Sequence, residues 1–164
     1  MITDLRKDHI KKIDNNFVEQ GWGSRLEVLE KYLDEINQGK RIVLVDVNND
    51  ECRGYITLVL NKSPNDNNST VPEIVDFNVF EKYQRMGIGQ NLLDSIILEA
   101  KSYNDFVKIG VGLNSNYGKA QRLYVKNGFI PDGKGIYYKN EVVGVNELCK
   151  NDDNLAMYFL KKIR

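Results

Sequence analysis

Hydrophobic positions along the 164-residue chain repeat with two different periods, and the switches between them mark out the elements. From Asp8 to Glu19, Ile10, Ile13 and Phe17 recur at helical spacing. Leu26, Leu29, Leu33 and Ile36 do the same after Ser24-Arg25-Leu26-Glu27, which has the S-x-x-E form of a capping box. Two N-terminal helices are predicted, the second ending at Gly39. RIVLVDV (41–47) and GYITLVL (54–60) are β-branched runs too short for helices, and the turn-rich NNDECR between them predicts an antiparallel hairpin. EIVDFNVF (73–80) alternates, with Ile74, Asp76 and Asn78 expected on one face and Val75, Phe77 and Val79 on the other. From 88 to 100, Ile88, Leu92, Leu93, Ile96, Ile97 and Ala100 predict an amphipathic helix. FVKIGVGL (106–113) reads as a strand, GKAQRLYVKN (118–127) as a short helix stopped by Gly128, and the C-terminal stretch as a final pair of strands.

This order predicts an α/β fold. A strand, a helix and a second strand across 74–113 call for a right-handed crossover, hence a central parallel strand pair in a mixed, mostly antiparallel sheet with flanking helices. Length and a composition of 41% hydrophobic and 28% charged residues fit one domain over 1–164, with no internal repeat. The asparagine-rich segment 61–72 is a long, turn-prone loop, either mobile or able to gate a site.

Charge narrows the partners. Basic and acidic residues number 23 each, so no overall field favours nucleic acid or an anionic membrane, and any anion site must be local. The N-terminus has no apolar core of the secretion-signal kind, and no apolar run approaches the roughly 18 residues of a membrane span, so a cytoplasmic protein is expected. Cys52 and Cys149 are far apart and form no CxxC pair, which predicts free thiols and no metal. His9, the single histidine, lies in a charged helix start and reads as a surface residue. One histidine with no partner nearby in sequence yields no Ser-His-Asp set.

The informative stretch is YQRMGIGQNLLD (83–94), where Gly87 and Gly89 stand at the first turn of the predicted helix. Glycine costs about 1 kcal/mol against alanine inside a helix. Bare backbone here serves either close packing or an anion, because unsatisfied N–H groups at a helix start bind phosphate oxygens. A dinucleotide fingerprint would need a third glycine where Leu92 stands, and the P-loop pattern is absent.

Gln84, Arg85, Met86, Gly87, Ile88 and Gly89 match the Q/R-x-x-G-x-G/A signature of the GNAT superfamily of N-acetyltransferases, and AQRLYVKNGF (120–129) resembles its later A-x-x-L-Y-x-x-x-G-F motif. The resemblance implies acetyl-CoA as co-substrate, its pyrophosphate held by residues 84–89 together with Gln90, and its pantetheine arm along Phe77, Asn78 and Val79. It implies transfer of acetyl to an amine by direct attack, with no metal. Tyr124 matches the tyrosine that in much of the family protonates the departing thiolate. Glu73, by its spacing to the glycines, and Asp76, nearer the thioester, are the alternative carboxylate bases, and a water chain is a third. On an extended strand the two carboxylates would lie on opposite faces. Tyr117 stands where the family often has asparagine, with Asn116 just ahead, and either could reach the pantetheine. The acceptor would enter near Trp22, Glu27, Glu30, Asp34, Tyr137 and Tyr138. A small-molecule amine is preferred over a protein N-terminus or lysine, and a homodimer is compatible with this reading. A CoA-sensing or interaction domain without transfer is the alternative from another class.

Overall fold

The computed structural model describes residues 1–60 and 71–164. The expectation of a gating loop over 61–72 therefore falls almost wholly outside the described residues. The chain divides into two compact units, Met1–Asn104 and Asp105–Arg164.

In the first unit, β1 (Ile2–Asp4), β2 (Arg41–Asn48), β3 (Glu51–Val59) and β4 (Glu73–Val79) lie side by side in that order, each pair antiparallel. Around them are α1 (Lys7–Glu19), α2 (Leu26–Asn37) and α3 (Ile88–Ala100). Alternation in the hairpin divides its side chains between two layers. Val43, Val45 and Tyr55 join Ile10, Ile13, Phe17, Leu29, Tyr32 and Phe80 in the core beneath α1 and α2. Phe17 is central to it, edge-on to Phe80 at 5.1 Å and to Tyr55 at 6.2 Å. Leu44, Ile56 and Leu58 alternate to the other face, and α3 buries the six apolar positions expected of it.

The helix starts depart from expectation. The capping box at Ser24 does not form: α2 begins at Leu26 after Arg25, and Ser24 donates its hydroxyl to Asp14 at 2.9 Å. Asp14 also accepts the Arg25 N–H at 2.5 Å, so a buried carboxylate of α1 tethers the α1–α2 connection. His9 is not a surface residue. It is 1% exposed, and its Nδ1 accepts the Arg6 N–H at 3.2 Å, which satisfies an orphan donor at the start of α1.

In the second unit β5 (Phe106–Gly112), β8 (Leu155–Lys162), β6 (Ile130–Tyr138) and β7 (Glu141–Val142) are neighbours in that order, again antiparallel, with α4 (Gly118–Lys126) following β5. The final pair of strands is thus a set of three. Of the two thiols, Cys52 is buried in the first unit, its proton affinity pushed up to about 11 by burial, and Cys149 is exposed between β7 and β8.

Candidate functional site

The first unit carries the glycine loop over 84–89. A single 3₁₀ turn at Glu81–Tyr83 leaves β4, and the Gln84 side chain donates back to the Val79 carbonyl at 3.2 Å, closing the loop on the strand's end. Arg85 and Gly87 both have left-handed backbone, at φ +65° and +76°, and Gly87 is the N-cap of α3. The helix makes its first bond from Asn91 N–H to the Gly87 carbonyl, so the amides of Ile88, Gly89 and Gln90 precede the hydrogen-bonded ladder. No acidic side chain lies in this first turn. Gln90 donates its side chain to Asp94 at 2.9 Å, along the helix.

The glycines differ in what they require. Gly87 needs its left-handed φ, where a Cβ is strained. Gly89 has ordinary helical backbone, and a Cβ built there would meet Phe77 Cζ at 3.6 Å and Val79 Cγ2 at 3.7 Å, ordinary van der Waals distances. Packing of α3 on β4 therefore does not demand glycine at 89. The bare amides fit a phosphate that must come close.

β4 is not the regular strand that alternation predicts. Its register against β3 pairs Val75 with Thr57 and Asn78 with Tyr55, so Asp76 and Phe77 together face the single residue Ile56. This is a β-bulge, with Asp76 at φ +46°. One extra residue reverses the alternation behind it. Ile74 leaves the face expected of it and pairs with Leu58, and Glu73 and Val75 join the Asp76 and Asn78 side. The two candidate carboxylates thus lie on the same face of β4, not on opposite faces.

Asp76 is closely held. Its Oδ2 accepts from Arg25 Nη2 at 2.7 Å, the Tyr32 hydroxyl at 2.7 Å and the Tyr55 hydroxyl at 2.9 Å, while Oδ1 accepts from Asn78 Nδ2 at 2.8 Å. Burial, then the nearby Asp76 charge, pushes both tyrosine hydroxyls far above their ordinary range, so they remain donors. Arg25, Tyr32 and Tyr55 carried no motif signal. Their meeting point is fixed by tertiary packing, which spacing in the chain does not record.

Glu30 and Asp34 of the expected acceptor region line a groove of about 750 Å³ between α1 and α2, with Lys7, Lys11, Ile10 and Leu33. Trp22 lies apart from its lining, half exposed, with its ring 5.9 Å from Phe17. Glu27 is exposed in the first turn of α2.

The second unit carries the remaining candidates. Tyr124 of α4 is 6% exposed, its ring edge-on to Phe129 at 6.0 Å, and burial raises its proton affinity well above the usual phenol range. Asn114 caps the 3₁₀ turn Ser115–Tyr117 by accepting the N–H of Asn116, whose position is exposed. The Tyr117 ring packs over Gly112, where a Cβ would collide with it. Tyr137 stacks edge-on against Tyr158 at 4.8 Å, and Tyr138 donates to Asp152 at 3.0 Å.

Among the described residues no helix is long and apolar enough to cross a membrane. No curated protein sequence matches the chain. Solved structures do. An N-acetyltransferase from Staphylococcus aureus is similar with a TM-score of 0.74 at 16% identity, covering 100% of this chain and 98% of its own. A ribosomal-protein-alanine N-acetyltransferase from Brucella melitensis gives 0.71 at 16%, covering 99% of each. An aminoglycoside 6'-N-acetyltransferase complexed with coenzyme A gives 0.70 at 15%, covering 100% of this chain and 97% of its own. These likenesses show the GNAT-type mixed α/β fold expected from the sequence. The model of the acetyltransferase (GNAT) family matches residues 9–129, across both glycine-bearing motifs, and the chain belongs to that family.

Proposed function

We propose that the protein transfers an acetyl group from acetyl-CoA to a primary amine of a small molecule, and that the whole chain acts as one catalytic domain. The observation that carries this reading is Gly89, bare where packing would accept a side chain, beside Gly87 at the leading edge of α3. Helix-start amides and the helix dipole favour a diphosphate there, with Arg85 and Gln84 as further donors and Met86, Ile88 and Gln90 as the rest of the cradle. The thioester then follows the bulged end of β4, where the backbone of Phe77, Asn78 and Val79 supplies fixed dipoles for the developing oxyanion. Asn116 is the polar candidate for the pantetheine in the second unit.

Direct attack requires an uncharged amine, so a proton must leave it, to Glu73 or to water. Tyr124 gives a proton to the departing thiolate. A phenol is protonated at neutral pH, the state from which a donor must start, while burial raises its proton affinity and weakens it as an acid, so the transfer requires the thiolate within hydrogen-bond reach. A small-molecule acceptor is supported by the similar aminoglycoside enzyme, and a protein N-terminus by the similar ribosomal-protein-alanine enzyme.

Thiol release from acetyl-CoA across a panel of aminoglycosides, small diamines and alanine-initiated peptides tests the proposal. Turnover of the small amines is expected. Turnover of peptides alone would move the acceptor to protein N-termini, and acetyl-CoA binding with silence on every amine would leave a CoA-sensing domain.

A further inference from the structure

The bulge in β4 is held from one side by three elements of the same unit. Arg25 comes from the α1–α2 connection, Tyr32 from α2 and Tyr55 from β3, and all three reach Asp76 Oδ2. A second string of bonds grips the residue before it: Arg41 Nη1 donates to Thr57 Oγ1 at 2.9 Å, and Thr57 donates to the Val75 carbonyl at 2.7 Å. Arg41 also lies over the Tyr32 ring at 4.1 Å and pairs with Glu35 of α2. Arg25 is itself fixed, its N–H on Asp14 and its guanidinium 5.2 Å from the centre of the Phe17 ring.

We propose that Arg25, Tyr32 and Tyr55 are positioning residues that act through the Asp76 carboxylate, and that Asp76 is an anchor and not the proton acceptor. A carboxylate base must offer a lone pair to the amine. The Asp76 side chain is only 14% exposed, and its two oxygens together accept four hydrogen bonds, one from a guanidinium that neutralises its charge. The left-handed backbone at Asp76 is a conformation that a side chain adopts rarely unless its surroundings impose it. Here the surroundings are these donors, and the geometry they impose sets the direction of the Phe77–Val79 backbone. The inference rests on the reading that this backbone receives the thioester.

The test uses Arg25→Met, Arg25→Lys, Tyr32→Phe and Asp76→Asn in the full chain. The readouts are the amide resonances of Phe77, Asn78 and Val79 in the free protein, acetyl-CoA affinity by calorimetry, and kcat with its pH profile on the best amine. Arg25→Met and Tyr32→Phe are expected to shift those resonances and lower kcat about tenfold or more, with acetyl-CoA affinity changed less than about threefold. Arg25→Lys should restore part of the loss. Asp76→Asn, which keeps a side chain tolerant of left-handed backbone, should retain the acid limb of the profile at its wild-type pH. Loss of that limb would make Asp76 the base and overturn the proposal, as would unchanged resonances in Arg25→Met and Tyr32→Phe. Should one variant not fold, Tyr32→Phe removes a single hydroxyl and still decides it. If no amine is turned over, the proposed function fails separately, and the resonances alone decide the positioning.

Discussion

A Cβ on Gly89 would rest 3.6 Å from Phe77 Cζ, touching the ring without displacing it. Gly89→Ala is therefore expected to keep the fold and gain up to about 1 kcal/mol of stability, since alanine is the better helix former. On the proposed function the amides around Gly89 lie close to the diphosphate, so acetyl-CoA affinity should fall tenfold or more. Chemical denaturation and calorimetry on the same preparation check both signs. Unchanged affinity would return Gly89 to a role without a ligand.

Tyr124→Phe keeps the ring against Phe129 and removes the hydroxyl. Turnover should drop roughly a hundredfold with acetyl-CoA binding little changed, as loss of a general acid gives. A rate within a factor of two of the parent would leave Tyr124 a packing residue.

Gly112→Ala puts a methyl group into the space of the Tyr117 ring. Overpacking of this kind costs about 1–3 kcal/mol. Thermal unfolding should record it, and the companion Gly112→Ala, Tyr117→Leu double variant should recover part of the loss.

His9 makes stability depend on pH. Burial holds its proton affinity below the ordinary 6.5, Arg6 and Lys12 act in the same direction, and Asp8 and Asp50 oppose them. The unfolded chain takes up a proton near pH 6.5 more readily than the folded chain does. Stability is therefore full above about 6.5 and falls as pH drops below it, with a slope bounded by the one-proton limit of about 1.4 kcal/mol per pH unit. The chain has one histidine, and the N-terminal amine also titrates between about pH 7.5 and 5.5, so the comparison with a His9 variant is what separates the two. Urea titrations across that window should show the slope in the parent and a flatter curve in His9→Gln.

The helices and the long strands were legible because each rests on a repeated burial pattern, and α3 begins and ends at the residues its periodicity predicts. β1 escaped notice: it is three residues long, and its pairing with β2 is visible only once β2 is in place. The bulge at Asp76 was hidden for a related reason. An inserted residue leaves the run of strand-forming side chains intact while reversing their faces, so Ile74 and Glu73 were assigned to the wrong sides. His9 misled because a polar helix start resembles a solvated one, and only the Arg6 amide explains its burial. The glycine motif that marks the family was readable because it sits in consecutive residues, whereas the Asp76 junction draws on positions 25, 32, 55 and 78.

One buried and one exposed thiol give the chain a built-in means of selective labelling. Alkylating reagents act on the ionised sulfur, which Cys52 scarcely offers at neutral pH and in any case keeps from solvent. Maleimide chemistry on the native sequence will place a single fluorophore or spin label at Cys149, between β7 and β8, and report on the Tyr124-bearing unit with no engineered cysteine.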